Sequence, residues 1–163
     1  WIELGLQTIH EDTARYIRRG YPLSCFEQAC ADLKALQIPF IVHTILGLPG
    51  ETNIQLLQTM DYLNRIQPFG IKLQLLHVLK DTDLADDYLA GKFEVLTFDA
   101  YIDLVISCLA HLSPDIVIHR VTGDGPKNLL IAPTWSMNKR GVLNELHHRM
   151  KKQGICQGDL YQI

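Results

Sequence analysis

The segment Gly47-Leu48-Pro49-Gly50-Glu51-Thr52 is the part of the sequence best suited to meet a ligand. Two glycines let the backbone approach a bound group, and a helix opening after them would point N–H donors at an anion. The same residues also suit a plain tight turn, or a phosphate loop in an α/β enzyme. They make neither a P-loop, because no Gly-Lys-Ser/Thr follows, nor a GxGxxG fingerprint. Arg18 and Arg19 add cations shortly after the first apolar segment. His43, His77 and His119 fall on or near apolar runs, with His10 and His111 close by. They show no HxH or HExxH spacing, so hydrogen-bonded histidines are expected rather than a metal centre. The four cysteines, at 25, 30, 108 and 156, form no CxxC pair and read as free thiols. No Ser-His-Asp spacing, nucleophile elbow or paired-carboxylate motif stands out.

These residues need elements to place them. Ile2 to Gln7 reads as a strand, and Thr13 to Arg19 as a short helix ending at Gly20. Ser24 and Glu27 make a capping box for a helix burying Phe26, Ala29, Cys30, Leu33 and Leu36. Phe40 to Leu46 is an apolar run of strand length. Thr52 and Gln55 make a second capping box, opening a helix with Leu56, Met60 and Leu63 on one face. Ile71 to Leu79 reads as the third strand, and Asp81 to Gly91 as an acidic surface helix. Thr97 caps a helix that turns Tyr101, Leu104, Val105, Cys108 and Leu112 inward. Asp115 to Val121 is the fourth strand, Thr122 to Ser136 a long loop, and Asn138 to Lys152 a helix stopped by Gly154.

Alternating strands and helices predict an α/β fold of parallel βα units. Apolar strands imply helices on both faces of the sheet. Function then belongs on the rim of strand C-terminal ends: Gln7 and Thr8, Ile45 to Gly50, His77 to Lys80, and Arg120 to Gly125.

The 163 residues are 47% hydrophobic and 20% charged, which suits a globular chain with a sizeable core and argues against disorder. The net charge of −3 excludes a strongly basic nucleic-acid binder. Charge is uneven, however. Residues 81–103 sum to −6, and residues 120–152 to +5. The basic stretch, with Trp135, offers either a solvated helix or a surface for RNA or a protein partner. Apolar runs are about one strand long, well short of the ~20 residues of a membrane span. A start at Trp1 with no signal peptide predicts a piece of a longer soluble protein, and free thiols predict a cytoplasmic address.

Glu3-Leu4-Gly5-Leu6-Gln7-Thr8, then Arg18-Arg19-Gly20, then Ile45-Leu46-Gly47-Leu48-Pro49-Gly50-Glu51 resemble the middle of a radical S-adenosylmethionine (SAM) domain. The style of the Gln7 strand and the Gly47–Gly50 turn is similar to the oxygen-independent coproporphyrinogen III oxidase group. His119 to Gly123 and Leu130 to Trp135 resemble uncharacterised bacterial radical SAM proteins termed Fe–S oxidoreductases. The resemblance implies the second half of a partial (β/α)6 TIM-like barrel over residues 1–112. Residues 113–163 would form a C-terminal extension with one strand, a long loop and a basic helix.

The resemblance also implies roles. Gln7 would hydrogen-bond the SAM ribose, and Arg19 the methionyl carboxylate through its two-pronged donors. Ile45 would touch the adenine, Gly47 would belong to the same turn, and Leu79 would offer a backbone contact. His43 stands where relatives often carry Asp for the ribose. The family holds a [4Fe–4S] cluster on three cysteines, and no three cysteines here have that spacing. The resemblance therefore implies SAM and a cluster in the parent, with the cluster ligands and the glycine-rich SAM segment upstream of Trp1. The parent would be a radical SAM enzyme with an electron donor and a substrate that the motifs do not name, and this fragment alone would be inactive.

Overall fold

The computed structural model describes residues 1–123 and 125–162. Asp124, inside the 120–125 rim segment, and Ile163, at the end of the tail, lie outside the described residues. The chain begins with strand β1 (Ile2–Gln7), helices α1 (Glu11–Tyr16) and α2 (Leu23–Ala35), and strand β2 (Phe40–Leu46). Helix α3 (Asn53–Ile66), strands β3 (Gly70–Leu75) and β4 (Val78–Leu79), and helices α4 (Asp83–Leu89) and α5 (Phe98–His111) follow. Strands β5 (Val117–Arg120) and β6 (Leu130–Ala132), a 3-10 turn (Thr134–Met137) and helix α6 (Lys139–Gln153) complete it.

The main sheet is parallel in the order β1-β2-β3-β5. Each new strand is laid beside the last, with no reversal. Right-handed crossovers in that order put successive helices on the same face. The core agrees with this. Leu6, Phe40, Val42, Leu46, Ile71, Leu73 and Leu75, which alternate along the strands, cluster with residues of α2, α3, α5 and α6. The alternate positions form a second face with a polar character: Glu3, His43, Lys72 and Gln74. The expectation of helices on both faces is thus corrected. Among the described residues the winding leaves the second face without helices, as in the wall of a barrel.

Local chemistry explains most boundaries. Thr52 caps α3 through the expected capping box, and Thr97 caps α5. Helix α6 closes on Gly154 in the left-handed conformation. Several expectations shift. Helix α1 lies at Glu11–Tyr16 rather than Thr13–Arg19, because Arg18 already turns left-handed at φ 58°. Helix α2 starts at Leu23 after Pro22, so Ser24 and Glu27 lie inside the helix and make no capping box. Leu36 falls past the helix end and is exposed. The fourth strand spans only Val117–Arg120.

The expected third strand Ile71–Leu79 is two strands. After Leu75 the chain leaves the main sheet, and Val78–Leu79 pairs antiparallel with Leu130–Ala132. The region 122–136 is accordingly more than a loop, since it holds β6 and the 3-10 turn. Val78, Ala85 and Ala132 form a small second core under this hairpin-like patch.

Candidate functional site

The helix-free face of the sheet carries the densest set of predicted site residues. Register fixes who shares it. Gly5 pairs with His43, His43 with Lys72, and Ile45 with Gln74. Strand β1 ends irregularly: the ladder slips between Gly5 and Gln7, and Gln7 takes φ 59°. The turn folds the Gln7 side chain back over Gly5. A Cβ at Gly5 would lie 2.5 Å from Gln7 Nε2 and 3.0 Å from the Tyr21 hydroxyl, so a side chain there would displace this amide. Tyr21 donates its hydroxyl hydrogen to the Gly5 carbonyl. Gln7 Oε1 is buried without a partner among the described residues. A buried, unpaired acceptor is costly, and a ligand hydroxyl or amine would satisfy it.

His43 bridges strands. Its Nε2 lies 2.7 Å from Glu3 Oε2 and its Nδ1 lies 3.0 Å from Gln74 Nε2. Lys72 donates to the same Glu3 oxygen at 2.6 Å. The Lys72 bond first, and the His43 bond second, hold the Glu3 carboxyl down at about 2. Ile45 is half-buried beside this row, two residues nearer the rim. Gln7, His43 and Ile45 therefore converge on one face.

Arg19 sits elsewhere, as a clamp. Its side chain is 1% exposed. It donates to the Leu6, Thr8 and Tyr21 carbonyls at 3.2, 2.8 and 2.9 Å, and to the Glu11 carboxylate at 2.9 Å. These bonds pin the end of β1 and so hold Gln7 in place. Gly47 takes φ 80°, which favours glycine, and Leu96 covers it: a Cβ there would lie 2.8 Å from Leu96. Glu51, which ends the same turn, is largely sequestered. Burial pushes its carboxyl up, hydroxyls of Thr8 and Thr13 and the nearby His10 oppose this, and Oε1 has no partner among the described residues. Leu79 lies in β4, and its carbonyl accepts from the Thr82 hydroxyl at 2.8 Å.

His77 also lies on the rim but is locked. Ser136 gives its hydroxyl hydrogen to the Pro133 carbonyl at 2.7 Å. The 3.1 Å contact between His77 Nε2 and Ser136 Oγ then has the imidazole as donor, the reverse of a nucleophile–base pair. Burial first, and the Lys139 charge second, push the His77 pKa down. In α6, Arg149 is engaged with Asp99, Asp103 and Glu145. Part of the basic stretch thus neutralises the acidic one within the chain.

The cysteines are free and dispersed. Burial pushes Cys30 up to about 11 and Cys108 up to about 12, which keeps both as thiols. No group of three or more His, Cys, Asp or Glu among the described residues could hold a metal ion. The described residues therefore do not fit an iron–sulfur cluster, whereas the face around Gln7 presents a buried amide oxygen without a partner among them.

Sequence reasoning gave no role to Glu3, Lys72 and Gln74, and named Glu51 only within the Gly47–Thr52 segment. The first three were hidden inside apolar strand runs. A period-2 reading of 70–75, with polar Lys72 and Gln74 alternating against Ile71, Leu73 and Leu75, would have exposed the second face.

Two family models match the chain: the radical SAM superfamily over residues 1–63 and the radical SAM C-terminal domain over residues 68–152. The uncharacterised protein YtqA of Bacillus subtilis is 39% identical over 99% of this chain and 50% of that protein. The uncharacterised protein MJ0486 of Methanocaldococcus jannaschii is 33% identical over 97% of this chain and 49% of that protein. The chain spans about half the length of the curated relatives it matches. The solved structure of Elp3 from Methanocaldococcus infernus, lacking its N-terminus, superposes at a TM-score of 0.82 with 17% identity. That match covers 95% of this chain and 36% of the other.

Proposed function

Because the chain belongs to the radical SAM superfamily, we propose that it forms a cofactor-facing wall of an enzyme that starts its chemistry from SAM. The observation that carries this reading is the convergence of Gln7, His43 and Ile45 on the helix-free face, with the Gln7 amide oxygen buried and unpaired. SAM supplies the adenosyl group through which such enzymes begin radical chemistry.

This chain's own residues would bind and orient. Gln7 Oε1 accepts from a ligand hydroxyl, and Ile45 offers apolar contact to a flat ring. Gly47, under Leu96, fixes the turn that follows Ile45. Arg19 secures the end of β1 rather than reaching the rim, so its contribution to a methionyl carboxylate requires that it release one of its present partners. The Leu79 backbone amide belongs to a separate strand pair, which would close the rim near the adenine.

The cluster ligands, on this reading, come from a segment outside this chain. An external electron donor would serve that cluster, and the free thiols suit a cytoplasmic setting. The finer likeness to the coproporphyrinogen III oxidase group rests on the Gln7 strand and the Gly47–Gly50 turn alone. The test is reconstitution of the full-length parent with iron and sulfide. A 4Fe–4S absorption band and reductant-dependent release of 5′-deoxyadenosine from SAM are expected. A well-reconstituted parent that leaves SAM intact contradicts the reading.

A further inference from the structure

Three adjacent strands place a continuous hydrogen-bonded row on the helix-free face. Glu3 of β1 accepts from His43 of β2, and His43 meets Gln74 of β3. The proton positions in this row follow from chemistry. Lys72, at 2.6 Å, keeps the Glu3 carboxyl ionised. An ionised carboxylate only accepts, so His43 Nε2 must carry the hydrogen that it shares with Glu3. In the neutral imidazole the other nitrogen, Nδ1, is then a bare acceptor. Gln74 lies 3.0 Å from Nδ1, and only its NH2 group can donate there. The amide is thereby oriented, with nitrogen toward His43 and carbonyl oxygen away from it. The charged groups facing His43 are Glu3 from β1 and Lys72 from β3.

Both nitrogens of His43 are thus occupied, so it can reach a ligand only by giving up a partner. The Gln74 carbonyl oxygen has no hydrogen-bond partner among the described residues. It pairs in register with Ile45, the apolar position nearest the rim on this face. Gln7, on the far side of β2, contributes the other amide oxygen.

We infer that Glu3 and His43 are positioning residues that lock the Gln74 amide so that its oxygen accepts a hydrogen bond from an amino or hydroxyl group of the ligand on this face. The ligand's identity as an adenosyl compound rests on the proposed function above; the lock does not. An amide free to rotate offers donor and acceptor alike. The row removes that ambiguity and selects ligands that present a donor at the level of Ile45. Conversely, a second proton on His43 would make Nδ1 a donor and reverse the amide.

The test uses the full-length parent, with S-adenosylhomocysteine as the probe. Long-range 1H–15N spectra at pH 7.5 should show His43 as the Nε2–H tautomer, with a Gln74 side-chain amide proton bonded to Nδ1. Glu3→Ala should abolish that signature. Titration should show Gln74→Met weakening the probe at least tenfold. The Nδ1–H tautomer, or an unbonded Gln74 amide, overturns the lock whatever the probe does. Equal binding by wild type and Gln74→Met overturns the ligand contact and leaves the proposed function standing. No binding by wild type, with the lock observed, overturns the adenosyl reading and the ligand contact together.

Discussion

Arg19 illustrates how much a single residue type reveals and where that stops. Its place after the Gly5–Thr8 strand made it legible as an arginine with a role, but not which groups it serves. Its side chain is 1% exposed and binds three carbonyls and one carboxylate. Replacing it with Met should cost about 2–4 kcal/mol in denaturant unfolding, because several acceptors lose a charged donor at once. A loss under 0.5 kcal/mol would mean that the clamp is slack. Two carboxyls give opposite pH signatures. Glu3 is held below its ordinary 4.5, so its contribution is full above that value and is lost as pH falls toward about 2. Glu51 is raised, so the folded state binds its proton more tightly, and stability declines as pH rises from the ordinary carboxyl range through the raised value. Urea midpoints between pH 3 and 8 should show that decline in wild type and not in Glu51→Gln. An unchanged decline in the variant would contradict the burial argument. Neither shift was legible in the sequence, since each depends on neighbours from other strands and turns.

At the scale of elements, caps and strand runs carried the most information. Phe40–Leu46 occupies the expected strand, and the Thr52–Gln55 box opens α3 as read. Thr52→Ala should cost about 1 kcal/mol in the same unfolding measurement. The Ser24–Glu27 box failed because Pro22, two residues earlier, already sets the helix start. The break between β3 and β4 was hidden for a different reason. Leu76 and Val78 are as buried as a strand interior, and the partner that diverts the chain is β6, far along the sequence. The Gly47 turn gives the sharpest element-level prediction. Gly47→Ala adds a Cβ 2.8 Å from Leu96 at φ 80°, and should destabilise the fold by about 1–3 kcal/mol. Circular dichroism melts would show it, and an unchanged melting temperature would contradict the packing described for the turn.

Over the whole molecule, strand order matters more than strand count. Sequential parallel strands with helices on one face leave a polar inner wall, and this separates a barrel segment from a doubly wound sheet. Composition and alternation showed the α/β class, while the bareness of one face needed the order of the strands. The wall's polarity suits the proposed function: Glu3, His43, Lys72 and Gln74 hydrogen-bond one another across three strands on the face that would meet a ligand. No helix among the described residues is long and apolar enough to cross a membrane. The most direct test of the proposed cofactor-facing wall is a backbone and side-chain chemical-shift map of the full-length parent titrated with S-adenosylhomocysteine. The account predicts saturable shifts concentrated at Gln7, His43, Ile45, Gly47 and Gln74. Shifts confined to α6 and the β5 edge, or none at all, would contradict it.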